Sequence, residues 1–203
     1  MNTTVAKSLF NSHSYEEYRK IIADLLTEGK VTGNEQSEDL VHYTQLNEKR
    51  MNRLEKTIQI TEETKSAIEN LKHDYIWLVI SEGWCGDAAQ LLPIMYKIAA
   101  IDTKKIDLRI VFRDQNLELM NHFLTNKAQA IPKLIIINKN TTQVENHWGP
   151  RPFGATELIN NYKKEFGKVD ETAKTELQLW YLHDKGLSTQ AEIMETMKFV
   201  ERD

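Results

Sequence analysis

One unbroken apolar run, Tyr75-Ile76-Trp77-Leu78-Val79-Ile80, constrains the fold of this chain more than any other feature. Its length and β-branched content are those of a strand buried on both faces. The residues after it are equally restrictive. The stretch Ser81-Glu82-Gly83-Trp84-Cys85-Gly86-Asp87 breaks the strand at Gly83, and an amphipathic segment then runs to about Ile101. That order places the Cys85 sulfur at a helix N-terminus, where unpaired backbone N–H groups and the helix dipole favour a thiolate. The expectation is an accessible thiol that titrates below the ordinary ~8.5. Asp87, two residues on, pulls the other way, because its carboxylate disfavours a second negative charge. As an acid in a first helical turn, Asp87 also has a purely structural reading.

The flanks of this stretch are helical in pattern. Ser14-Tyr15-Glu16-Glu17 has the form of a capping box, with Tyr18, Ile21, Ile22, Leu25 and Leu26 next at helical spacing. A second helix is predicted from about Ser37 to Lys56, and a third, capped by Thr61, to Leu71. From Asp74 the pattern alternates. Strands are predicted at 74–81, 107–113, 133–138 and 143–148, the last two joined as a hairpin around Lys139-Asn140. A short helix carries Leu117, Leu119 and Met120. Further helical segments begin near Ala155, continue through Leu177 to Leu182, and end in a last helix capped by Ser188.

Two motifs in this frame carry a resemblance. Trp84-Cys85-Gly86 with Pro93 farther along resembles the active-site turn and kinked helix of thioredoxins. Ala130-Ile131-Pro132-Lys133-Leu134-Ile135-Ile136-Ile137-Asn138 resembles the thioredoxin segment in which a cis-proline enters a core strand and faces that turn. The resemblance implies an α/β, thioredoxin-like fold, with a four-stranded mixed sheet and helices on both faces. The strand order is expected to be 107–113, 74–81, 133–138, 143–148, the first two parallel and the last two antiparallel to their neighbours. The core would span 74–166, with a helical N-terminal extension over 1–73 that covers a sheet edge and a C-terminal one over 167–203. Two departures stand out. The position of the family's second cysteine holds Ala88, and that of its buried acid holds Val79. Cys85 is the only cysteine, so an intramolecular dithiol–disulfide cycle is excluded.

By the resemblance, Cys85 is the candidate catalytic residue. Trp84 would form an aromatic wall beside the sulfur, and Gly86 would leave room for a partner. Ile131 and Pro132 would offer backbone to an extended segment. Arg151, in the loop after the fourth strand, could hold a thiolate or an anionic low-molecular-weight thiol. Asp87 belongs to the same set. Two functions are open: a monothiol thiol–disulfide oxidoreductase or redox-responsive thiol protein, and a non-catalytic thioredoxin-fold module that binds a peptide or protein. A protein or low-molecular-weight disulfide is the partner implied by the first.

Composition narrows the remainder. A net charge of −4 argues against nucleic acid as an obligate partner, and no apolar run approaches membrane length. No secretory leader pattern is visible at the start, and one unpaired cysteine fits a reducing compartment, so the cytoplasm is expected. The six histidines lack metal-ligand spacing, and no phosphate loop is present, so neither a metal nor a cofactor is expected.

Overall fold

The computed structural model describes residues 3–202. The chain runs α1 (Thr3–Phe10), α2 (Tyr15–Thr27), α3 (Glu38–Thr57), α4 (Glu62–Glu69), β1 (Tyr75–Ser81), α5 (Gly86–Ala99), β2 (Ile106–Phe112) and α6 (Leu117–His122). It continues through β3 (Lys133–Asn138), β4 (Val144–Trp148), α7 (Phe153–Phe166), α8 (Glu171–Asp184) and α9 (Leu187–Val200). The sheet order is β2-β1-β3-β4. Strands β1 and β2 are parallel, while β3 is antiparallel to both β1 and β4. The expected fold class, strand order and directions are those observed.

The two central strands explain why the sheet needs helices on both sides. Every residue of β3 is buried, as is every residue of β1 except Ile76. Since alternate side chains point to opposite faces, both faces must be covered. Helices α2 and α5 pack on β2, α9 packs on β4, and α3 packs along α5. The edge strand β2 is also shielded. His13 and Ile110 exchange two backbone hydrogen bonds of 2.8 Å, an isolated antiparallel bridge supplied by the N-terminal extension. That bridge occupies polar backbone groups that would otherwise template association.

Local chemistry sets the helix ends. Ser14 and Glu17 make the reciprocal capping box, and the side chains of Ser37 and Thr61 accept from Leu40 N and Thr64 N. Ser188 does not cap α9. The helix begins two residues earlier than such a cap would place it, with Gly186 in a left-handed conformation as its N-cap, and Ser188 donates its hydroxyl back to Asp184. Glycine suits that junction because φ is +77° there, where a β-carbon is disfavoured. The helix α1 had no counterpart in the sequence pattern, being only 8 residues long.

Gly149 is the backbone position that most directly shapes the site. Its φ is +109°, and a β-carbon there would stand 2.5 Å from the Pro132 carbonyl oxygen. Both the conformation and the close approach require glycine. We expect Gly149→Ala to destabilise the protein by more than ~1 kcal/mol. The urea midpoint should fall while the slope of the transition is unchanged; an unaltered midpoint would remove this constraint.

Candidate functional site

Four residues, Glu82 to Cys85, connect the end of β1 to the start of α5. Cys85 N donates to Glu82 O and Cys85 O accepts from Ala89 N, both at 3.1 Å, but the N–H and carbonyl of Gly83 belong to neither the sheet nor the helix. The α2–α3 loop and α3 satisfy them instead. The Thr32 hydroxyl accepts from Gly83 N at 2.9 Å, and the Asn47 amide donates to Gly83 O at 2.9 Å. The Trp84 indole donates to Thr32 O at 3.1 Å, and Arg113 stacks over the indole ring at 4.9 Å. Thus the N-terminal extension, through the α2–α3 loop and α3, forms a cover over the turn. From the other side, Tyr181 and Gln178 of α8 reach α5, donating to Asp87 at 2.9 Å and accepting from Gln90 at 2.6 Å.

Cys85 is the N-cap of α5. The Ala88 N–H donates to its sulfur at 3.5 Å, and the thiol donates to Ile131 O at 3.4 Å. The Ile131–Pro132 peptide bond is cis, as is Gly149–Pro150. Sequence motifs separated by 46 residues therefore meet at the sulfur. The expected reactivity of that sulfur needs correction, however. Cys85 is 8% exposed. Burial first, and the Asp87 carboxylate second, push its thiol up to about 12, against smaller lowering effects from the Ala88 and Asp87 backbone N–H groups and Arg151. The thiol is thus covered and neutral, where the helix-start argument predicted an accessible, acidic one.

Asp87 and Arg151 sit together. Arg151 donates through Nε and Nη2 to the same Asp87 oxygen at 2.7 Å, and the Tyr181 hydroxyl takes the other oxygen. Arg151 is consequently engaged by a carboxylate of its own chain and is not an exposed loop cation. Trp84 is partly exposed and Gly86 is half-exposed, while Ile131 and Pro132 are buried. The inward residue at the end of β4 is Trp148, whose indole donates to Glu192, and His147 points outward.

Sequence reasoning missed a second buried acid. Glu82 is fully buried, and one carboxyl oxygen accepts from Asp114 N at 3.0 Å. Burial raises its pKa, against smaller lowering effects from the Thr32 hydroxyl and the Asp114 N–H. A signal was available, since an acid directly after the apolar run 75–80 and its Ser81 end has little chance of reaching water. Asn47 carried one too: with Thr44, Met51 and Leu54 it lies on the buried stripe of α3. Thr32, Arg50, Gln178 and Tyr181 carried none. Among the described residues no cluster of three or more His, Cys, Asp or Glu side chains could hold a metal, and no helix is long and apolar enough to cross a membrane.

With this geometry established, the comparisons place the chain. A family model described as Thioredoxin matches residues 33–164, most of the sequence, and the chain belongs to the thioredoxin-like family. The match begins before α3, so the covering helix is part of the matched region. No curated protein matches the chain. A crystal structure of a protein of unknown function, PA1234 from Pseudomonas aeruginosa, is similar at 15% identity and a TM-score of 0.56, over 92% of this chain and 98% of that one. An HIV epitope-scaffold shows the same identity and coverage with a TM-score of 0.54. These two likenesses show a shared fold.

Two measurements test the electrostatics. Alkylation of native Cys85 by iodoacetamide at pH 7.5 should be on the order of 10³-fold slower than that of a free thiol, and should still be climbing at pH 10. A plateau below pH 9 would contradict the neutral thiol. For Glu82, a raised folded pKa means the folded state keeps a proton that the unfolded chain has released. Its contribution is fully present below the unfolded carboxyl value and is lost as pH rises through the folded one. Glu82→Gln should therefore gain stability relative to the wild type as pH rises from 4 to 8, read from paired urea titrations. A difference independent of pH would show that Glu82 is not perturbed.

Proposed function

We propose that the protein acts through Cys85 as a held-back monothiol. The observation that supports this reading is the Cys85 sulfur at the start of α5, 3.4 Å from the carbonyl that precedes Pro132, in a chain with no second cysteine. The reaction is thiol–disulfide exchange. The Cys85 thiolate attacks one sulfur of a protein or low-molecular-weight disulfide; a Cys85–S–S–R bond forms, the original S–S bond breaks, and the displaced thiolate takes up the proton that Cys85 gave to solvent. An external thiolate then attacks the R sulfur of the mixed disulfide; a new disulfide forms between R and that thiol, the Cys85–S–S–R bond breaks, and Cys85 takes up the proton the external thiol lost. No internal residue can perform that second step.

Restraint is built into the resting state. With its thiol pushed up to about 12, Cys85 carries a thiolate in roughly one molecule in 10⁵ at pH 7. Exchange then requires α3 or α8 to give way, or a partner that changes the surroundings of the sulfur. The second reading is a non-catalytic binding module, and the same neutral, covered thiol favours it, together with Val79 in place of an acid.

Incubation of native protein with 2-hydroxyethyl disulfide at pH 9, and then intact-mass measurement, separates the two. A single adduct on Cys85, reversed by added thiol and absent from Cys85→Ser, is the expected result. If the native protein stays unmodified while the unfolded protein reacts fully, the binding module is the better description.

A further inference from the structure

Of the Cys85 turn only Trp84 and Gly86 are not buried, and beside Gly86 stand two polar side chains. Arg50 Nη1 of α3 and Gln178 Nε2 of α8 each lie 3.8 Å from where a Gly86 β-carbon would stand. Arg50 is half-buried, and burial and the nearby Arg53 both lower its pKa. Its Nη1 donates to Asn47 Oδ1 at 2.8 Å, and no carboxylate lies within ion-pair distance among the described residues. The contrast with its surroundings is informative. Arg19 on α2 is matched by Glu48 and Glu55, and Arg151 by Asp87. A partly desolvated guanidinium without an opposite charge is under-satisfied, and an anion that reaches it completes the site.

We propose that Arg50, with Gln178 beside it, is the subsite for a carboxylate carried by a small disulfide or thiol that exchanges with Cys85. This inference rests on the monothiol reading and gives it a substrate class: anionic, low-molecular-weight and entering between α3 and α8. It also moves the role expected of Arg151 to a different residue. Arg151 is already neutralised, so a ligand would have to displace Asp87 to use it. Arg50 needs no such exchange.

The test compares two aliphatic disulfides of similar size, the dianion 3,3′-dithiodipropionate and the neutral 2-hydroxyethyl disulfide, at pH 9 and low salt. Wild-type Cys85 should form its adduct faster with the dianion. Arg50→Gln should slow the dianion by about tenfold and leave the neutral disulfide unchanged, and Arg50→Lys should restore part of the preference. Equal slowing of both reagents, or an unchanged ratio, would overturn the subsite. If neither reagent modifies native protein, the monothiol reading fails by itself, and the subsite is judged by calorimetric binding of glutarate. Binding that is lost in Arg50→Gln sustains it as an anion site. Absent or unaltered binding removes it.

Discussion

The turn between β1 and α5 can exist only because other parts of the chain answer its backbone. Gly83 presents an N–H and a carbonyl that neither the sheet nor the helix uses, and each would be costly to bury unpaired. Thr32 meets the first and Asn47 the second. Once those bonds form, α3 must lie along α5, and the loop before α3 must run beside Trp84. The flanks are therefore parts of the site. The same contacts that hold the Cys85 turn in shape also remove it from water.

Magnitudes show why the thiol does not behave as its position on the helix suggests. A helix N-terminus stabilises a negative charge by roughly 0.3–1 kcal/mol, up to ~2 when partly buried. That is about one pKa unit. Full burial shifts an ionisable group by up to ~3–5 units in the opposite direction. Cys85 has both influences, with Asp87 added on the raising side, and desolvation prevails. The helix-dipole argument was sound for an exposed turn, but this turn is covered.

This difference also marks what could be read from the sequence. The strand β1 and the helix opening at Cys85 come from local patterns, because buried strands and capped helices leave dense, periodic signals, whereas the sheet order came through the family resemblance. The meeting of Cys85 with Ile131 was legible through two motifs. The cover was legible only at Asn47, which falls on the buried stripe of α3. Thr32 lies in a loop, and Arg50, Gln178 and Tyr181 sit on helices where nothing in their spacing says which polar side chains turn inward. The pairing of Asp87 with Arg151 was hidden for the same reason: each looked complete alone, one as a first-turn acid and the other as a loop cation.

The fate of the Cys85 proton draws these features together. Val79 is wholly buried in the apolar strand, so no acid stands where the family's proton-transfer residue would be. Asp87 is close enough to influence the sulfur, yet both its oxygens are engaged by Arg151 and Tyr181. Breaking that ion pair would leave the half-buried Arg151 guanidinium without its partner. Glu82 already holds its own proton more tightly than usual. The thiol hydrogen is thus left with the Ile131 carbonyl, which accepts a hydrogen bond but cannot take the proton away. Ionisation of Cys85 depends on water or an incoming base, and hence on how far α3 and α8 admit either.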